Sequence, residues 1–217
     1  MMNFKLKGNT TVISSLRHSG KSELCRMLML SQQHDFDHVF VVSCTNKCNN
    51  FYDWVKPNNI LTEFSDEWID LLIKKCEELN LGKTKNSIHS VETLLVLDDC
   101  ASSSNFKGSR SLEKLFTLGR HYHLSLIVLT QRIRSLSTTC RINTNFLICG
   151  LLNQQSIKLL LEEYTLGQIS KKEFESTYRK STLDYGFLVI NNSAGNSDSL
   201  NCYYSSIRVP KDMIKVI

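Results

Sequence analysis

Short β-branched and apolar runs alternate along this chain with stretches whose apolar residues recur every three or four positions. That is the pattern of strands set between helices. Strands are predicted near 10–14, 38–44, 93–97, 124–130, 146–150, 185–190 and 202–207, and helices over 21–31, 66–79, 111–121, 154–164 and 171–179. In the first helix Leu24, Met27 and Leu28 share a face. In the second, Trp68, Leu71, Leu72 and Leu79 stand against Asp70, Lys74, Lys75 and Glu78, so these four apolar residues are the expected buried face. The alternation predicts an α/β domain with a mostly parallel sheet and helices on both faces. Segments 81–90 and 102–110 read as surface loops, and 191–199, with Gly195 at its centre, reads as a hairpin loop.

The chemistry sits where strands end. Residues Ser15-Leu16-Arg17-His18-Ser19-Gly20-Lys21-Ser22 follow the first strand and open the first helix. A glycine-containing turn running into a helix start presents backbone N–H groups to phosphate oxygens, which points to a nucleoside triphosphate. In this layout Lys21 reaches the β and γ phosphates and the Ser22 hydroxyl sits on Mg²⁺, with Arg17, His18, Ser19 and Gly20 forming the cradle. Ser15 replaces the usual first glycine, so the chain must enter the loop with ordinary backbone angles.

A second motif, Thr93-Leu94-Leu95-Val96-Leu97-Asp98-Asp99, puts two carboxylates at the tip of an apolar strand, the form of a Walker B strand. Buried strands do not hold unpaired carboxylates cheaply, so the acids are expected to face a cation or water at the sheet edge. Asp98 is the expected Mg²⁺ partner, and Asp99 the expected base that orients the attacking water. Aspartate is one methylene shorter than the glutamate often found there. A third strand ends Thr130-Gln131, which sets a neutral amide where it can hydrogen-bond a γ phosphate or the lytic water.

Composition narrows the setting. A hydrophobic fraction of 41% with 22% charged residues is ordinary for a globular chain, and 217 residues suffice for one sizeable core. The longest apolar runs fall short of the roughly 20 residues that cross a bilayer, so no membrane span is expected. Met1-Met2-Asn3-Phe4-Lys5 lacks a signal-peptide core, which predicts an intracellular location where the eight cysteines remain thiols. Cys44 and Cys48 are four apart, but no second close pair completes a zinc-ligand pattern. A net charge of +5 permits contact with a polyanion without demanding it.

Gly119-Arg120-His121 and the following Ser125-Leu126-Ile127-Val128-Leu129-Thr130-Gln131-Arg132, taken with the Asp98-Asp99 strand and the Gly20-Lys21-Ser22 loop, resemble the FtsK/HerA superfamily of DNA-pumping ATPases. Within it the chain is most similar to the genome-packaging ATPases of nucleocytoplasmic large DNA viruses, poxvirus-type and their relatives. The resemblance covers roughly residues 9–150. It implies a P-loop fold of the additional-strand (ASCE, RecA-like) type, with the strand ending at Gln131 lying between the phosphate-loop strand and the Asp98 strand. It also implies ATP and Mg²⁺ as cofactors and a homo-oligomeric ring of five or six subunits with ATP at the boundaries. Arg120 occupies the family's position for an arginine given in trans, with Arg132, Arg134 and Arg141 as further candidates.

The expectation is therefore an ATPase that translocates double-stranded DNA into a capsid, found in the virion and host cytoplasm, with capsid or membrane vertex proteins as further partners. Lys107 and Arg110, and Lys83 and Lys85, are candidate grips on the phosphate backbone, though for any single one a solvated loop is the more ordinary reading. A small P-loop nucleotide kinase is a rival, but no compact basic lid follows Gln131. A non-hydrolysing assembly scaffold is another. Residues 1–217 are read as one P-loop ATPase domain, in which 151–217 either completes the sheet or forms a small subdomain.

Overall fold

A computed structural model describes residues 4–46, 50–81, 90–164, 170–193, 204–210 and 213. In chain order the elements are β1 (Thr10–Ser14), α1 (Lys21–Ser31), β2 (His38–Ser43), β3 (Ile60–Leu61), α2 (Asp66–Asn80), β4 (Thr93–Asp98), α3 (Arg110–Leu118), β5 (Leu124–Thr130), α4 (Thr138–Ile142), β6 (Phe146–Cys149), α5 (Gln154–Glu163), α6 (Lys171–Ser181), β7 (Gly186–Asn191) and β8 (Tyr204–Arg208). The strands form one eight-stranded sheet in the order β3-β2-β4-β5-β1-β6-β7-β8. From β3 to β6 all pairings are parallel, while β7 and β8 join antiparallel. The late strands thus extend the sheet, one of the two outcomes open for 151–217.

Strand β5 lies between β1 and β4, as the family resemblance implies. Register puts their ends in line: Ser14 pairs with Thr130 on one side and Cys149 on the other, and Asp98 pairs with Leu129. The loops after β1, β4, β5 and β6 consequently share one carboxyl edge. In open parallel sheets ligands bind along that edge.

Every residue of β1, β4, β5 and β6 is buried, because both faces of the sheet are covered. On one face Ile13, Val96, Ile127 and Ile148 pack with Leu24, Cys25 and Leu28 of α1. On the other, Val12, Leu95, Val128 and Leu147 pack against α2, α3, α5 and α6. Among the described residues no helix is long and apolar enough to cross a membrane.

Local details differ from the sequence reading. The buried stripe of α2 is Ile69, Leu72, Ile73 and Cys76, not the expected Trp68-Leu71-Leu72-Leu79 face; Leu71 is 64% exposed. The sheet selects that i, i+3, i+4, i+7 row and leaves Trp68 at its margin, edge-on to Phe40 at 5.8 Å. The helix predicted over 111–121 stops at Leu118 and tightens into a 3₁₀ turn, Gly119–Tyr122, so that His123, at φ 54°, can turn the chain into β5. Two elements escaped the pattern, β3 with two residues and α4 with five, both too short to show a period. Segment 102–110 is pinned rather than free: Phe106 is buried edge-on to Phe64, and Ser109 both caps α3 and donates to Asp66 at the start of α2. Most of 81–90 and of 191–199 lies outside the described residues.

Candidate nucleotide site

The loop 15–20 is tied to the strands on both sides of β1. Ser15 N–H donates to the Thr130 carbonyl (3.2 Å) at the end of β5, and Leu16 N–H to the Leu151 carbonyl (2.8 Å) just past β6. Ser15 is fully buried, and it is absent from the described residues with left-handed backbone, so the loop does begin with ordinary angles. Its hydroxyl donates to the Leu151 carbonyl at 3.1 Å. Gly150 makes the room, since a Cβ there would lie 2.4 Å from Ser15 Oγ and 2.7 Å from Phe187 Cε1. The glycine missing at 15 is compensated one strand away.

Further on, His18 (φ 55°) and Gly20 (φ 83°) are left-handed, which bends the chain around its own N–H groups. The Leu16 carbonyl accepts from both Ser19 Oγ (2.5 Å) and Lys21 Nζ (2.9 Å). Helices α2 to α6 begin with a serine or asparagine side chain bonded to a first-turn N–H. Helix α1 instead begins at Gly20 without a side-chain cap. Its first-turn N–H groups, with the positive end of the helix dipole, face the loop and suit an anion.

Asp98 closes β4 and is 5% exposed. The Tyr52 phenol, itself fully buried, donates to Asp98 Oδ2 at 2.9 Å. Burial pushes the Asp98 carboxyl up to about 6, the Asp99 charge adds to the rise, and Tyr52 and Lys21 oppose it. Burial lowers the Lys21 pKa, against the pull of Asp99 and Asp98, with Arg17 adding to the fall. The loop lysine, Asp98 at the end of β4 and Asp99 just beyond it therefore feel one another's charge. Sequence reasoning missed Tyr52. Only the aromatic run Phe51-Tyr52, with Trp54 beyond, marks the segment, and nothing in it points to Asp98.

Asp99 stands at φ 52°, half-buried, turned out of the strand by one residue. It lines a cleft of about 650 Å³ together with Arg17, Thr130, Gln131, Arg132 and Arg134. The Thr130 hydroxyl receives Arg132 N–H (3.2 Å) and lies 2.9 Å from Ser135 Oγ. These bonds hold the turn that carries Gln131 to the cleft. Ser22 is half-buried on the first turn of α1, and His18 is exposed beside it in sequence on the loop.

Arg120 is elsewhere. It is exposed, with Nε 3.5 Å from His121 Nε2, and it borders a hollow with Asn9, Thr10 and Asn145 at the amino edge of the sheet. The seven residues of β5 separate that edge from Gln131, about 20 Å at strand rise. No arginine side chain spans this, so Arg120 does not reach its own chain's phosphate loop. Arg141 is engaged by Glu163, with Nε and Nη2 each 2.8 Å from a carboxylate oxygen, and by the Leu136 carbonyl. Lys107 and Arg110 are exposed near the start of α3, while Lys83 and Lys85 lie outside the described residues.

The chain is similar to known proteins. Protein 075L of Invertebrate iridescent virus 6 is 30% identical over 190 residues, covering 86% of this chain and 72% of that protein. The genome packaging NTPase B204 of Sulfolobus turreted icosahedral virus 2, solved with AMPPCP, superposes with a TM-score of 0.66 at 14% identity, over 95% of this chain and all of that one. The cytoplasmic domain of the type VII secretion ATPase EccC of Thermomonospora curvata superposes with a TM-score of 0.60 at 12% identity, over 93% of this chain and 25% of that one. The fold is thus that of viral packaging NTPases. Residues 9–213 match the profile of the Poxvirus A32 protein, and the chain belongs to that viral family.

Proposed function

We propose that this protein is an ATPase that drives double-stranded DNA into a viral capsid. One observation carries the reading: a phosphate loop, a carboxylate pair and a strand-end glutamine, far apart in sequence, meet at the carboxyl edge of a sheet in which β5 separates β1 from β4. The uncapped start of α1 and Lys21 bind the phosphates. Asp99 and Gln131, sharing one cleft, orient the attacking water, and the Asp99 carboxylate takes up its proton.

Magnesium fits the donors present. The Ser22 hydroxyl and the Asp98 carboxylate are hard oxygen ligands, and a divalent cation there would offset the cost of burying that carboxylate, which Tyr52 and Lys21 offset only in part. Bound there, Mg²⁺ neutralises charge that develops on the phosphate oxygens.

Arg120 serves a neighbouring subunit. An exposed guanidinium at the edge of the sheet opposite its own nucleotide contributes to hydrolysis only if the next subunit's phosphates approach it, which a ring of five or six subunits accomplishes. Lys107 and Arg110 grip the DNA backbone as successive sites fire, and capsid or vertex proteins hold the ring at the assembly site in virion and host cytoplasm.

The deciding measurement is phosphate release with and without duplex DNA, alongside the assembled mass. DNA-stimulated turnover that Lys21→Ala abolishes, with Asp99→Asn retaining bound ATP but hydrolysing at least a hundredfold more slowly, is the expected result. ATP binding without any DNA-stimulated release, under conditions where the protein assembles, rules out a motor.

A further inference from the structure

The carboxyl edge has two sides, and only one is used above. Running along it, Asp99 and Gln131 lie on the β4–β5 side of the phosphate loop, while Leu151, Tyr185 and Val209 lie on the β6–β8 side. In an extended nucleoside triphosphate, a terminal phosphate aimed at Asp99 and Gln131 sends the base out over the opposite side.

Tyr185 stands there. Its ring lies so close to the phosphate loop that a Cβ on Gly20 would come 3.4 Å from Tyr185 Cδ1 and 3.8 Å from Val209 Cγ2. The residue is nonetheless 39% exposed, the one aromatic among the nine exposed large hydrophobic residues of the described chain. Its backbone is strained as well: Asp184 and Tyr185 are consecutive left-handed residues, at φ 47° and 58°. A bulky aromatic residue in that region is an outlier, and such outliers gather at ligand sites. The turn is held in place by Gly186 N–H to the Leu183 carbonyl (2.9 Å) and Val209 N–H to the Tyr185 carbonyl (3.2 Å). An exposed ring kept at some backbone cost beside a phosphate cradle is well made for stacking and poorly explained by core packing.

We infer that Tyr185 is the platform on which the base of the bound nucleoside triphosphate stacks, with Val209 beside it closing the floor between ring and Gly20. This rests on the nucleotide-site reading above and deepens it. Stacking on an aromatic face contributes to affinity through the base alone, so its loss is invisible to a ligand that has phosphates and no base.

The test compares ATP with inorganic tripolyphosphate, both with Mg²⁺, by titration calorimetry on the full chain. Tyr185→Asn removes the ring while keeping a residue that tolerates the left-handed backbone, and Tyr185→Phe keeps the ring; thermal unfolding of each verifies folding. Expected is a loss of about tenfold in ATP affinity for Tyr185→Asn, no change for tripolyphosphate, and near-native ATP binding for Tyr185→Phe. Native ATP affinity in Tyr185→Asn, or an equal loss for both ligands, overturns the platform while leaving the phosphate site standing. Wild-type protein that binds neither ligand overturns the nucleotide site and the platform together.

Discussion

The Tyr52 phenol donates a 2.9 Å hydrogen bond to Asp98 Oδ2 from a position with no solvent contact. One carboxylate oxygen is thereby fixed at the end of β4, and the carboxylate plane with it. A metal-binding acid held this way loses little freedom when it takes up a cation. Tyr52→Phe is expected to cost about 2 kcal/mol in stability at neutral pH, since a buried carboxylate loses a donor. The same variant should need several-fold more Mg²⁺ for half-maximal ATPase; denaturant titration and a Mg²⁺ titration read the two effects separately.

Asp98 also sets a pH dependence in metal-free protein. Its folded pKa of about 6 lies above the ordinary carboxylate value, so the native state binds the proton more tightly than the unfolded chain. The stability this confers is fully present below about pH 4 and is lost as pH rises through about 6. In EDTA, Asp98→Asn is therefore expected to unfold at higher denaturant than wild type at pH 7.5, by about 3 kcal/mol, with the difference shrinking towards pH 4. An advantage that stays constant across this range would mean that the Asp98 carboxyl titrates in the fold as it does in the unfolded chain.

Separation of Arg120 from its own phosphate loop predicts complementation. Rings of Arg120→Ala subunits and rings of Lys21→Ala subunits should each be inactive, yet mixing them should restore part of the ATPase. A boundary joining one mutant's intact loop to the other's intact arginine is then complete. Absence of rescue at every mixing ratio, with mixed assembly verified by mass, removes Arg120 from the catalytic site.

Gly150 and Ser15 are matched. A Cβ at 150 would meet both Ser15 Oγ and the Phe187 ring well inside van der Waals contact. Gly150→Ala should destabilise by about 1–3 kcal/mol, the ordinary range for overpacking. Because the strain falls at the root of the phosphate loop, ATP affinity should drop in parallel; an unaltered midpoint in urea would show that the loop yields freely.

Much of this site was readable in one dimension, and its failures are instructive. Gly20-Lys21-Ser22, Asp98-Asp99 and Thr130-Gln131 each follow an apolar strand, and that local grammar alone singled out the candidate cradle, carboxylates and amide. The stripe of α2 was misjudged because Leu71 and Ile69 are equally apolar; which one turns inward depends on the sheet it meets. Tyr52 and Gly150 gave no signal because their roles consist of contacts with residues distant in the chain.

The sequence by itself determined the alternation of strands and helices, the order of the motifs and the chemical character of each, because periodicity and turn chemistry are local properties of a chain. Tertiary structure alone decided which strand ends became neighbours, which oxygen of Asp98 was taken, and that Arg120 lies at the edge of the sheet opposite its own loop 15–20. Those outcomes follow from strand register and from packing on both faces of the sheet. They are properties of distance in space, which no separation along the sequence encodes.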